Sequence, residues 1–272
     1  MSIAAPSTPT SGNFEGLADI KLVGRQVRFE QLSFWLNPFA AFFTIGFSTI
    51  FLVIMESTAG KSTTGTLDGI KLIQYYVPAF IAYGIMSACF SIQAMQMVNR
   101  REIGLLKRLR LSPAPTWILL NAIFISSMIV ALIEVVLMVL VGRGYGVHGP
   151  ANWLPFIVTV VVGMVSFTAM AMGVTTLVPN MDAAGPAVNI VFFILLAFSG
   201  LWFPIGNGSA VAKITNYFPV RRLIISIEYS FNHIPGTSPW QWSDLVVMAI
   251  WGAIGVFVAL RRWQWSPRRL SG

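Results

Sequence analysis

Residues 99–115 read NRREIGLLKRLRLSPAP, a short polar stretch between two long apolar runs. Five of its residues are basic: Arg100, Arg101, Lys107, Arg108 and Arg110. Leu105, Leu106, Leu109 and Leu111 recur so that a short helix here would have one apolar and one basic side. Pro113 and Pro115 close such a helix, because proline has no N–H and pushes the residue before it out of the α region. A basic amphipathic helix strung between two membrane crossings is expected along the cytoplasmic surface. There it would press on lipid headgroups or on a cytosolic protein.

The flanking runs set the class. The chain has 272 residues, 56% hydrophobic and only 10% charged, whereas a soluble domain carries about 25% charged residues. Mean hydropathy is +0.72, and several stretches reach the roughly 20 apolar residues that cross a ~30 Å hydrocarbon core. The fold class is therefore an all-α integral membrane protein. The net charge of +8 gathers at span ends, so it is no footprint of nucleic acid. Cys89, the single cysteine, lies in an apolar run, which excludes disulfide and cysteine-based metal frameworks. Residues 1–13 are small and polar and read as a disordered tail, with no apolar core of a cleaved signal peptide. Residues 14–265 read as one transmembrane domain and 266–272 as a basic tail.

In chain order, 14–34 predicts an N-terminal interfacial helix. Six transmembrane helices follow, at about 34–55, 73–98, 117–141, 153–178, 186–204 and 245–260. Between spans five and six, Pro204, Pro219, Pro235 and Pro239 break up the chain. Two short re-entrant helices dipping into the outer leaflet fit this stretch, and two further short spans are the alternative. With both termini cytoplasmic, Lys21, Arg25, Arg28, the five basic residues of 99–115, Arg261, Arg262, Arg268 and Arg269 fall inside. Lys61, Lys71, Arg143, Lys213, Arg221 and Arg222 fall outside, so the inner excess is twofold and satisfies the positive-inside rule.

Few motifs carry chemistry. Residues 59–63 (AGKST) resemble the end of a phosphate-binding loop, but Met55 stands where the first glycine belongs and no strand precedes it. Glu134 is read as the only acidic residue well inside a span, where a carboxylate is costly unless protonated or paired. Substrate contact, proton coupling and a structural hydrogen bond are all open to it. Tyr76, Tyr83, Ser87 and Ser91 follow at intervals of seven, four and four, one helical stripe. That stripe either lines a route for an amphipathic molecule or packs against another span. Asn121, Ser126, Ser127, Asn189 and Ser199 admit the same two readings. His148 and His233 lie in outer loops without neighbouring metal ligands. An ion-coupled transporter or channel using Glu134 is one functional class these residues allow.

Residues 199–224 (SGLWFPIGNGSAVAKITNYFPVRRLI) resemble the signature of ABC-2 type transporter permeases, and 99–115 is similar to that family's segment between spans two and three, through Glu102, Gly104 and Pro113. The resemblance implies export driven by a separate ATP-binding subunit, with two permease subunits per complex in the cytoplasmic (inner) membrane of a bacterium. This chain would bind no cofactor; ATP and Mg²⁺ would sit on the partner. The expected partners are cytosolic ABC ATP-binding subunits, a second permease and membrane lipid, with no nucleic acid. Carried over by position, Arg100, Arg101, Glu102, Gly104, Leu105, Lys107, Arg108 and Arg110 would couple to the ATPase. Tyr76, Tyr83, Ser87, Ser91, Glu134, Asn189, Phe198, Trp202 and Phe203 would line a substrate pathway, and Pro204, Phe218 and Pro219 would belong to an outer gate. Leu105 stands where the family often has Thr, and the outer loop 56–72 is short. Both favour the small drug-export or lipid-export branches.

Overall fold

The computed structural model of the chain describes residues 16–59, 66–67, 70–104, 116–202, 210–232 and 236–262. Helix α1 (Gly16–Trp35) comes first. It is followed by α2 (Pro38–Thr58) and α3 (Gln74–Glu102), α4 (Thr116–Gly144), α5 (Trp153–Leu177) and α6 (Met181–Ala197). Two short helices, α7 (Ala210–Thr215) and α8 (Pro219–Phe231), precede α9 (Trp242–Arg262). Two two-residue strands, β1 (Thr66–Leu67) and β2 (Ile70–Lys71), pair antiparallel between α2 and α3.

Five of these helices, α2, α3, α5, α9 and the 120–144 part of α4, are long and apolar enough to cross a membrane. Helix α6 is apolar but has only 17 residues. Of the six transmembrane helices expected, five meet the length and hydropathy of a crossing among the described residues, and the expected fifth span corresponds to the shorter apolar helix α6. Span one does not begin at 34. Phe34 and Trp35 end α1, and Asn37 caps the next helix by accepting from the Ala40 N–H at 3.1 Å. Pro38 occupies the first helical position, where its missing N–H leaves no bond unmade. Span five likewise begins five residues earlier than 186. Asn180 accepts from the Ala183 N–H at 2.9 Å, so Pro186 lies inside the helix, as membrane helices tolerate.

Helix α3 is the hub. Nearly nine-tenths of its most apolar window is buried, against 17% for α2. Large apolar side chains such as Tyr75, Phe80, Ile81, Ile85 and Phe90 are all enclosed by the other helices. Close approaches show how the helices run. Ser48 meets Glu134 and Ser57 meets Tyr145, so α2 and α4 are parallel. A Cβ on Gly84 would strike Glu134 and one on Gly142 would strike Val77, so α3 and α4 are antiparallel. Gln93 reaches Thr168 and Arg101 reaches Val178, making α3 and α5 parallel. Tyr83 pairs with Phe192, and Tyr75 donates to the Gly200 carbonyl, so α6 opposes α3.

The tightest seam joins α5 and α9. A Cβ on Gly255 would lie 2.5 Å from the Ala169 carbonyl oxygen, and one on Gly173 would lie 2.8 Å from that of Gly255. Gly252 faces Ser166 in the same way. Small residues let two backbones meet, which is how helices associate where lipid supplies no hydrophobic drive. The pairs advance together, so α5 and α9 are parallel.

Candidate functional site

Three clusters follow from this frame: the C-terminal end of α3, the polar and aromatic interior along it, and the two short helices between α6 and α9.

At the C-terminal end of α3, Arg100 pairs with Glu30 of α1, its Nη1 donating to Oε1 at 2.8 Å and its Nη2 meeting Oε2. Arg101 turns into the bundle and is 2% exposed. Its Nη1 donates to the Thr175 carbonyl at 3.1 Å, and its Nη2 donates to Val178 at 2.6 Å and Pro179 at 3.2 Å. These carbonyls end α5, where the last turn lacks intrahelical donors and the helix dipole favours a cation. Glu102 approaches Arg101 Nε at 3.8 Å. Gly104 then stops α3: its φ is +71°, the left-handed conformation of a helix C-cap, and its N–H bonds the Arg101 carbonyl. Leu105, Lys107, Arg108 and Arg110 lie outside the described residues. Of the basic residues read from the sequence, Arg100 and Arg101 thus face α1 and α5 rather than standing clear of the protein.

In the interior, Tyr76, Tyr83 and Ser87 are buried, while Ser91 is half-buried. The stripe shifts because Ser87–Ile92 winds as a π-helix, whose wider turn carries residues four apart out of line. Tyr83 sits 5.8 Å from Phe192 and 6.4 Å from Phe47, ring to ring. Trp202 meets Phe51 edge-on at 5.3 Å. Asn189 is on the exposed side of α6. Glu134 is fully enclosed and accepts from Ser48 Oγ at 2.5 Å. Gly84 makes room for it, since a Cβ there would lie 2.5 Å from the Glu134 Cδ. Glu134 is not alone: Glu56, read as opening an outer loop, lies in the last turn of α2 and is 1% exposed. Neither of its oxygens has a partner among the described residues.

Between α6 and α9, Phe198 stacks on Phe218 with ring centroids 4.6 Å apart, and Phe218 continues to Trp251 at 6.5 Å. The two phenylalanines, twenty positions apart in sequence, therefore lie at one level. Pro219 starts α8 at its first turn, directly after Phe218. Leu223 fills the space beside Gly163, Ser226 meets Thr159 at 3.0 Å, and Ser230 accepts from the Asn152 N–H. Helix α8 thus runs antiparallel to the first half of α5, starting beside its middle. Arg222 Nη1 donates to Asp244 Oδ1 at 2.7 Å and binds α8 to α9. Arg221, counted above as an outer-loop cation, is buried beside Tyr75 and Gly200. Phe203 and Pro204 lie outside the described residues, as do most of 59–63 and His233.

A family model described as an ABC-2 family transporter protein matches residues 48–261. The chain belongs to this family. In this ABC-2 chain the match takes in all of α3, the segment 99–115, Glu134 and the stretch between α6 and α9, while the whole of α1 precedes it. The resemblance read from 99–115 and 199–224 is borne out, and the chain is a multi-pass membrane transport component. A search of curated proteins returns no match.

Sequence reading missed Ser48, Gly84, Glu30 and Glu56. A serine hydroxyl can bond its own preceding turn, as Ser48 also does to Thr44, so nothing local marks it as the partner of a glutamate 86 positions away. Glu30 carried a clearer signal, an acid at the end of an amphipathic helix in a chain with a basic cluster near a span end.

Proposed function

We propose that this chain is the permease subunit of an ATP-driven exporter of an amphipathic small molecule, drug or lipid in the cytoplasmic membrane of a bacterium. The observation that carries the reading is the family match over 48–261, which spans the basic segment and the outer hairpin together. The alternating directions of α2, α3, α4, α5 and α6, and the parallel run of α5 and α9, support six crossings with both termini cytoplasmic. On that count α7 and α8 make no net crossing and form a re-entrant outer gate. Helix α1 lies at the inner interface, and its end leans on α4 through Gln31, which donates to the Ser126 carbonyl at 2.8 Å.

Two such chains, identical or related, assemble with two cytosolic ATP-binding subunits that hold ATP and Mg²⁺. Binding of ATP shifts the permeases only by its different affinity for their two arrangements. That difference enters through the 99–115 segment: Lys107, Arg108 and Arg110 touch the ATPase, and Arg100 and Arg101 join the segment to α1 and α5. Cargo passes Tyr83 and Trp202 and leaves where Phe198 and Phe218 meet. The test is to purify the tagged chain and ask whether an ATPase subunit comes with it, then to reverse Lys107 and Arg108 together. Coupling through this segment predicts ATPase activity no longer matched by export, with the permease still folded. Transport by the chain alone, insensitive to ATP depletion and lost in Glu134→Gln, would instead support an ion-coupled carrier.

A further inference from the structure

Helices α4 and α5 are joined by a short loop, yet they stand apart along much of their length. Between them lies a groove of about 510 Å³ whose lining is apolar except at one end. Leu132, Val136 and Leu140 on α4 face Trp153, Ile157 and Val161 on α5, and all six are about half exposed. Both sets recur every four residues, so each helix presents one continuous apolar row to the gap. The lining runs from Ile125 to Arg143 on α4, ~27 Å at 1.5 Å per residue, but only from Trp153 to Met164 on α5, ~16 Å, so the stretch walled on both sides covers about half of a ~30 Å hydrocarbon core. It therefore has the length of one leaflet.

The mouth is polar and built. Arg143 is exposed and has no hydrogen-bond or ion-pair partner among the described residues. Its guanidinium lies over Gly149, where a Cβ would come within 2.7 Å of Nη2. Trp153 stands beside it, locked edge-on to Phe156 at 6.2 Å, and Tyr145 is exposed on the same loop. Aromatic rings and a free cation at one end of an apolar slot are what a headgroup region selects.

We propose that this groove binds a membrane phospholipid with an anionic headgroup, one acyl chain lying between α4 and α5 and the phosphate on Arg143. A second copy of this chain fits the mouth poorly. Of the carboxylates at the same end of the bundle, Asp244 and Glu56 are buried, Asp244 is held by Arg222, and Glu228 in the last turn of α8 is half-buried with an interaction of its own. The proposal rests on the reading of this end as the outer leaflet of a permease. Its failure is separable from failure of that reading, which shows as absence of an ATPase partner whatever lipid is bound.

The experiment is native mass spectrometry of the intact complex from nanodiscs of phosphatidylglycerol or phosphatidylcholine. The expected result is about one retained phosphatidylglycerol per permease and weaker retention of phosphatidylcholine. Arg143→Gln should lower phosphatidylglycerol retention about fivefold and abolish the preference, while Arg143→Lys keeps it. Val136→Trp, which fills the slot, should lower retention of both lipids. Undiminished preference in Arg143→Gln, or no retained lipid in the native complex, would overturn the proposal. So would a Val136→Trp complex that keeps its lipid and loses its second permease, because the groove would then be an interface between copies. If Val136→Trp does not assemble, the exposed Arg143 variants decide alone.

Discussion

Arg101 Nη2 donates to the Val178 carbonyl oxygen at 2.6 Å, joining the last turn of α3 to the end of α5 across 77 residues of sequence. A basic residue that reads as a contact for a cytosolic partner is thus the cap of a neighbouring helix. It ties the C-terminal end of α3 to the end of α5 and, through Pro179, to the α5–α6 turn.

Arg101→Gln is therefore expected to cost stability first. Hydrogen bonds from a charged donor contribute ~1.5–3 kcal/mol each, and the neutral amide replaces three of them incompletely. The midpoint of thermal unfolding in detergent should fall, and less folded protein should reach the membrane. Arg108→Glu should leave both unchanged and alter only the ratio of export to ATP hydrolysis. Equal stability of the two variants would refute the capping role.

Gly84 and Glu134 test the polar interior as a pair. Gly84→Ala places a methyl group 2.5 Å from the Glu134 Cδ, an overpacking that costs about 1–3 kcal/mol. Shortening the acid in Gly84→Ala/Glu134→Ser should restore much of the loss. A double-mutant cycle on thermal stability should give a coupling above ~0.5 kcal/mol; additive effects would mean the two residues do not share that space.

Ser48 ties the least enclosed span to the core. Ser48→Ala removes the donor to Glu134 and leaves a buried acceptor unmet, at about 1–3 kcal/mol. Glu134→Gln keeps an oxygen for Ser48, so it should be milder than Ser48→Ala in the same unfolding measurement. Export surviving in Glu134→Gln marks this carboxylate as structural; export abolished with the fold intact marks it as part of the transport chemistry.

The α5–α9 seam should be graded by distance. Gly255→Val forces a side chain into the Ala169 backbone 2.5 Å away, whereas a Cβ on Gly252 meets its nearest atom at 3.1 Å. Gly255→Val is expected to prevent assembly, and Gly252→Ala to lower thermal stability by a modest amount. The reverse order would rule out the parallel backbone contact.

The outer stack is expected to hold the exit closed. Phe218→Ala removes a ring pair that contributes ~0.5–1.5 kcal/mol and should raise the rate at which a water-soluble thiol reagent modifies a cysteine placed at Trp202. An unchanged rate would mean that Phe198 and Phe218 do not occlude the route.

Much of this molecule was legible along the chain because the controlling quantity is local. Membrane spans need ~20 apolar residues in a row, so 153–178 was read nearly as found, and the order of α1, the long spans and two short helices near 210–231 was read too. Boundaries at Asn37–Pro38 and Asn180 were misplaced because hydropathy continues through a capping residue that only its backbone bond identifies. The family was legible in 99–115 and 199–224 for the same local reason.

What the chain alone did not determine is which polar groups face one another. Arg101 and Val178, Ser48 and Glu134, Phe198 and Phe218, and Arg222 and Asp244 are far apart in sequence, and each pairing exists only once the helices have packed. In hydrocarbon an unpaired polar group is expensive, so packing brings these four pairs together, and it turns exposed-looking arginines into internal ties. Periodicity determines that a helix crosses; the close contacts at Gly84, Gly173 and Gly255 decide against which neighbour, and in which direction.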